Sequence, residues 1–260
     1  MEVHHHPDLH HERKKFKVYL LEFLMIFLAV TLGFFAESFR EYITEKNMER
    51  QYMKEIVENL KYDTARCAGN AEMNEELIRG MDSLRGEIKL AIRGNINSNA
   101  LYYYGLMYGG TYAVAVFNTS AIKEFKNSGS LRLVESKKLM DEITDYYERK
   151  LFGADINKPK PDQVEILQNQ IFSLLNLDEY VNSFDNRSTE SYITNYNYRD
   201  LLQHKPALRL STSDPTVMEK LYNEETRFEM AVKTYNVWLY FCKKEESQLI
   251  SDIKQEYQFK

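Results

Sequence analysis

The chain has 260 residues, of which 43% are hydrophobic and 28% charged, and its formal net charge is −5. This balance excludes an intrinsically disordered chain, and two cysteines are too few for a disulfide-stabilised scaffold. Residues 41–260 hold the whole negative charge, which argues against a nucleic-acid partner.

Residues 1–17 form a basic tail that contains five of the six histidines: His4, His5, His6, His10 and His11. Clustered imidazoles suit Zn²⁺, Ni²⁺, Cu²⁺ or Co²⁺. The tail is therefore a candidate metal site, with a divalent transition metal as the one cofactor that the sequence suggests. The alternative is a solvated tail without a bound ion.

The longest apolar run follows at once and predicts a transmembrane helix over residues 18–39. Twenty-two helical residues extend roughly 33 Å, enough to cross a hydrocarbon core of about 30 Å. A cleaved signal peptide is disfavoured, because Phe34 and Phe35 precede the candidate Ala36 where a cleavage site needs small residues.

The orientation of this span depends on its basic flanks. Each flank of the span has four basic residues, so their number alone does not decide the orientation. Those before the span are close together with no acidic residue between them and the span: Arg13, Lys14, Lys15 and Lys17. The positive-inside rule then predicts a cytoplasmic N-terminus and, in a bacterium, a periplasmic domain over residues 40–260.

One face of the span carries Glu22, Ile26, Ala29, Gly33 and Ala36 at helical spacing. Two small residues four apart let helix backbones approach closely, and an ionisable residue on the same face favours a partner helix. This face predicts a homo-oligomer. The alternatives are that Glu22 reaches the interface alone, or that it lies in an oligomeric channel.

The span is expected to continue into a long helical stalk that ends near Gly94, since no proline occurs between Pro7 and Pro159. Ser213, Asp214 and Pro215 begin a last helix whose apolar stripe approaches the 3.5-residue repeat of a coiled coil. We expect an all-α protein in which the first and last helices are long and antiparallel within a bundle.

Shorter helices are expected between these two. One is capped by Asn118 or Thr119 and ends before Gly129, one begins after Ser136, and one follows the break NKPKPD. Residues 178–212 are polar and irregular, and the Tyr/Gly-rich passage LYYYGLMYGGTYAVAVF has no clear assignment.

Cys67 and Cys242 lie on the apolar stripes of the two long helices. If Lys260 lies level with Glu49, an antiparallel arrangement places the two cysteines opposite each other. They are candidates for a disulfide in an oxidising periplasm. The alternative is a pair of buried free thiols.

The opening MEVHHHPDLHH, the span YLLEFLMIFLAVTLGFFAE and the later FKNSGSLRLV together resemble uncharacterised single-pass membrane proteins of Bacteroidota. That family has a motif L-K-(N/S)-S-G-x-L-R-L-(I/V), and Phe125 stands here where leucine is usual. The resemblance covers most of residues 1–150 and implies a bacterial inner-membrane protein. It brings no activity and no catalytic residue.

The chain contains none of the common enzyme motifs, such as G-x-S-x-G, a Walker loop or H-E-x-x-H. We therefore expect a non-enzymatic, membrane-anchored helical protein that acts in scaffolding, interaction or envelope sensing. Its expected partners are the lipid bilayer, further copies of itself and an envelope protein. The alternatives are a channel or transporter component and a metal-responsive protein.

Overall fold

The computed structural model describes residues 16–182 and 198–259, and the regular elements within these ranges are helices. This confirms the all-α class. The α-helices are α1 (Phe16–Ile92), α2 (Ser98–Tyr108), α3 (Ser120–Asn127), α4 (Lys137–Asn157), α5 (Pro161–Leu174), α6 (Leu177–Asn182) and α7 (Pro215–Tyr257). The chain divides into two compact units, Met1–Gln51 and Tyr52–Lys260.

The described part of the first unit consists of the beginning of α1. This helix is long and apolar enough to cross a membrane, and no part of its most apolar 18-residue window is buried. The expected continuation of the apolar segment into a longer helix is confirmed, since α1 runs without a break to Ile92. Gly94, at φ +88°, follows its end.

In the second unit, α1 and α7 run antiparallel. Glu75 accepts a hydrogen bond from Tyr240, and further along α1 Arg85 pairs with Glu229, which comes earlier on α7. The start of α7 also agrees with the sequence, because the Asp214 side chain accepts a hydrogen bond of 2.8 Å from the Thr216 amide.

The core of this unit has three clusters of buried side chains. One joins the end of α1 to α2, α5 and the first half of α7. A second joins residues 53–60 of α1 to α3, α4 and the end of α7. Cys67 and Cys242 lie in the small third cluster with Ala71, Tyr235 and Leu239. The apolar stripes of both long helices therefore face the core.

The Tyr/Gly-rich passage divides into α2 and a non-helical segment over residues 111–119. Ala113 and Ala115 are buried in this segment, while Val114 and Val116 are exposed. This alternation is the period of an extended chain. Because helix neighbours cannot satisfy its backbone groups, buried side chains have to do so.

The short helices begin and end close to the expected positions. Asn118 accepts a hydrogen bond from the Ser120 amide at the start of α3, and Gly129 adopts φ +70° after its end. The segment FKNSGSLRLV forms this helix end and the 3₁₀ turn Ser130–Leu133. Phe125 is fully buried and stacks on Tyr52 with ring centroids 4.7 Å apart.

The later connections are also short. The Ser136 hydroxyl caps α4 by accepting a hydrogen bond from the Leu139 amide, and α5 starts at Pro161 as the break NKPKPD predicts. Within the region expected to be irregular, the described residues include most of α6 and a 3₁₀ turn at Tyr198–Gln203. A single antiparallel bridge joins Leu175 to Leu210.

Two glycines of α1 give a matched test of this packing. A Cβ at Gly80 would collide with the ring of Tyr108, whereas one at Gly86 would meet no atom within 4 Å. We expect Gly80→Ala to lower the free energy of unfolding by about 1–3 kcal/mol through overpacking. Gly86→Ala should raise it by about 0.5–1 kcal/mol through helix propensity. Urea unfolding of the full chain in detergent measures both, and equal shifts would contradict the packing described.

Candidate functional site

Three charged side chains from three different helices meet in the interior of the second unit. Asp63 comes from α1, Lys150 from α4 and Glu246 from α7, and the side chains of all three have 0% relative exposure. We call Asp63, Lys150 and Glu246 the buried charge cluster. Groups of this kind are almost never fully buried unless they are paired.

Lys150 lies at the centre of the cluster. Its Nζ atom donates a hydrogen bond of 2.6 Å to Oδ2 of Asp63 and lies 3.1 Å from Oε1 of Glu246. The same nitrogen is 4.3 Å from the centroid of Phe117, and the rings of Tyr146 and Tyr147 lie at 5.0 and 5.1 Å. One ammonium therefore faces two carboxylates inside an aromatic wall.

Asp63 also forms hydrogen bonds to the non-helical residues 111–119, which we call the extended segment. The backbone N–H of Asn118 donates to both carboxylate oxygens, at 2.9 Å to Oδ1 and 3.2 Å to Oδ2. Asn74 of α1 does the same for Ala113, since its side chain both accepts from the amide and donates to the carbonyl. The Ala115 amide donates to the Tyr235 hydroxyl. Buried polar side chains therefore supply hydrogen-bond partners to backbone groups of a segment that forms no helical hydrogen bonds.

Glu246 is the carboxyl that α7 contributes to the cluster. Burial raises its pKa, and the nearby Lys150 and the hydroxyl of Tyr146 oppose that shift. The Tyr146 hydroxyl donates a hydrogen bond of 2.6 Å to Oε1, while buried Oε2 has no hydrogen-bond partner among the described residues. Burial also raises the pKa of both Tyr146 and Tyr147, so their hydroxyls stay protonated.

The three charged side chains of this arrangement lie inside the protein. A groove of about 270 Å³ between α4 and α7 reaches Tyr146, but Lys150 does not line it. An amine, two carboxyls and a phenol therefore form one connected set of hydrogen bonds and ion pairs whose charged side chains are inaccessible to solvent. Within residues 16–182 and 198–259, no group of three or more His, Cys, Asp or Glu residues could hold a metal ion.

A second buried acidic site lies on α7. Glu225 is 0% exposed, and neither of its carboxylate oxygens has a hydrogen-bond partner in the described ranges. Burial and the adjacent Glu229 raise the pKa of Glu225 to about 8, and Arg85 opposes this. Glu229 itself pairs with Arg85 and Lys233.

The residues that the sequence singled out are distributed as follows. Ile26, Ala29, Gly33 and Ala36 are exposed on α1, and Glu22 is half-buried. The five histidines of the candidate metal site lie outside the described residues. Cys67 and Cys242 are free and buried in one cluster, as the antiparallel arrangement predicts, and the disulfide between them stays a prediction.

The buried charge cluster is not among the sites predicted above, although the sequence contains a signal for it. The apolar stripe of α1 steps from Leu60 to Cys67, and the stripe of α7 steps from Cys242 to Leu249. Asp63 and Glu246 fill the skipped positions. A charged residue at a core position of an otherwise apolar stripe indicates a buried partner.

Of the segments that carry the family resemblance, the apolar span lies in α1 and FKNSGSLRLV includes the end of α3, while the opening MEVHHHPDLHH lies outside the described residues. Comparison of the chain with protein-family models, with curated proteins and with solved structures finds no match. Membership of the Bacteroidota family therefore stays a prediction.

Proposed function

We propose that this chain is a single-pass membrane protein of the bacterial inner membrane and that its helical domain acts as a non-enzymatic scaffold or interaction module. The proposal places the N-terminus in the cytoplasm and residues 40–260 in the periplasm. It rests on one observation, that no residue of the most apolar window at the start of α1 is buried.

Two parts of α1 differ in the solvent exposure of their apolar side chains. From Met53 onward the stripe that includes Ile56 and Leu60 is buried to 0% exposure. In the apolar segment, by contrast, Leu24 is 47% and Phe34 is 69% exposed. A contiguous apolar surface of this kind is unstable in water and is typical of a segment that contacts lipid.

Self-association is supported by the small residues of the same segment. A Cβ at Gly33 would meet nothing within 4 Å, so the described part of this chain leaves that face open. Ala29 precedes Gly33 by one helical turn, and the pair allows a second span to approach closely. We assign the domain an interaction role because the side chains of its buried charge cluster are inaccessible to solvent, and we propose an envelope protein as a further partner.

Membrane anchoring and orientation are tested by fractionation. We expect the full chain to remain in the membrane pellet after extraction with alkaline carbonate, since a spanning helix resists that treatment. Protease added to spheroplasts should degrade residues 40–260. Release of the chain by carbonate would overturn the anchor, and protection of the domain from protease would overturn the orientation.

Replacement of Gly33 by leucine is expected to weaken the oligomer by at least about tenfold in dissociation constant, equivalent to about 1.4 kcal/mol. The added side chain separates the two backbones at their closest approach. Native mass spectrometry in detergent measures the change. Thr31→Leu, on the opposite face of the helix, is the control and should leave the oligomer intact. An unchanged oligomer in the Gly33 variant would rule out this face.

A further inference from the structure

We propose that Lys150 and Asp63 join in an intramolecular amide bond between α4 and α1, and that Glu246 catalyses its formation. The proposal goes beyond a scaffold role, since it assigns the domain a covalent self-modification. It rests on the geometry of the buried charge cluster.

The two reacting groups are already in contact. Nζ of Lys150 lies 2.6 Å from Oδ2 of Asp63, although the residues are 87 positions apart in the chain. Oδ2 is bonded to Cγ, the carbon that the amine would attack, and reacting groups held together in a productive orientation reach effective concentrations of about 10⁵ M or more. Proximity of this kind offsets the sluggish reaction of amines with carboxylic acids in water.

The surroundings of the two reacting groups are closed to solvent and largely apolar. Both side chains have 0% exposure, and Phe117, Tyr146 and Tyr147 surround the nitrogen with aromatic carbon. Burial penalises the separated charges of an ammonium and a carboxylate. The reacting amine and carboxylic acid differ from the ion pair only in the position of one proton between Nζ and Oδ2.

The reaction needs no external reagent. The lone pair of the Lys150 nitrogen attacks Cγ of Asp63, so that an N–C bond forms and a tetrahedral intermediate results. One C–O bond then breaks, and the departing oxygen takes two protons and leaves as water. One of these protons comes from the acid itself and the other from the attacking nitrogen. The product is an amide and one water molecule.

Neighbouring groups are placed to assist each step. Oε1 of Glu246 lies 3.1 Å from the attacking nitrogen, within reach to take the proton that ends on the departing water. The backbone N–H of Asn118 points at the carboxyl of Asp63, where negative charge develops in the intermediate. The Tyr146 hydroxyl fixes the orientation of the Glu246 carboxyl.

The decisive experiment is the intact mass of the denatured, reduced full chain. We expect a mass one water molecule below that of the sequence, and a digest that contains a branched peptide joining the segments of Asp63 and Lys150. A chain of unmodified mass, or a digest in which both segments are linear, would overturn the proposal. Water loss located at other residues counts against it as well.

Three variants separate the roles of the residues. Lys150→Arg keeps a positive charge but removes the amine nucleophile, and its mass should equal that of its sequence. Glu246→Gln keeps the volume but cannot accept the proton, and the rate of linkage should fall by about 10²–10⁴-fold. Glu245→Gln, at an exposed neighbouring position, is the matched control and should link fully. Full and rapid linkage in the Glu246 variant would overturn the catalytic assignment.

Discussion

Replacement of Lys150 by methionine is expected to lower the free energy of unfolding by about 3–5 kcal/mol, because it leaves two buried carboxyls without their cation. Asp63 and Glu246 are both fully buried and both lie within 3.1 Å of the Lys150 nitrogen. Methionine fills a similar volume, so the loss comes from electrostatics rather than from a cavity. In the linked chain the wild type has an amide in place of the Lys150–Asp63 ion pair, so the variant loses this cross-link and also restores Asp63 as a buried carboxyl.

Denaturant unfolding of the full chain in detergent measures this loss. Lys138→Met is the matched control, since the Lys138 side chain is 88% exposed and its pair with Glu142 contributes little. A triple variant that combines Lys150→Met with Asp63→Asn and Glu246→Gln should recover part of the stability, because it removes the stranded charges. A loss below about 1 kcal/mol for Lys150→Met would contradict the cluster as described.

Glu225→Gln is expected to make the protein more stable above pH 8 and to flatten the pH dependence of its stability. The pKa of Glu225 is raised from the ordinary value of 4.5 to about 8, so the folded chain holds a proton that the unfolded chain releases between these values. Stability from this group is therefore complete below about pH 4.5 and is lost as the pH rises towards 8. Each pKa unit corresponds to about 1.4 kcal/mol, which makes the total several kcal/mol.

Urea unfolding at pH 5, 7 and 9 tests this expectation. The wild-type chain should lose stability across the series, whereas the glutamine side chain of the Glu225→Gln variant cannot ionise and should remove most of that slope. Glu219→Gln, at an exposed position of the same helix, serves as the control and should keep the wild-type slope. Parallel curves for the wild type and the Glu225 variant would show that Glu225 is ionised in the folded protein at neutral pH.

Most helices of the described ranges could be predicted from the sequence, because their signals are local. Asp214 and Pro215 mark the start of α7, Ser136 marks that of α4, and Gly129 follows the end of α3. The antiparallel pairing of the two long helices could also be predicted, since their apolar stripes can be buried only against a partner.

The buried charge cluster could not be predicted in the same way. Lys150 lies on the apolar face of α4, but the identity of its partners depends on how three helices are placed in space. The conformation of the extended segment at residues 111–119 could not be predicted for a related reason. Its Tyr and Gly content is compatible with a helix, and its conformation is set by side chains of α1 and α7 that lie far away in the chain.

The conformation of that segment depends on the relative position of α1 and α7. Its amides at Ala113 and Asn118 bond to Asn74 and Asp63 of α1, and its amide at Ala115 bonds to Tyr235 of α7. A slip of α7 against α1 by one heptad would still bring apolar side chains together, but it would move Tyr235 about 10 Å away from its amide. The three hydrogen bonds therefore favour one axial alignment of α7 against α1 over alignments shifted by a heptad. Hydrophobic packing of the two apolar stripes does not by itself supply this specificity.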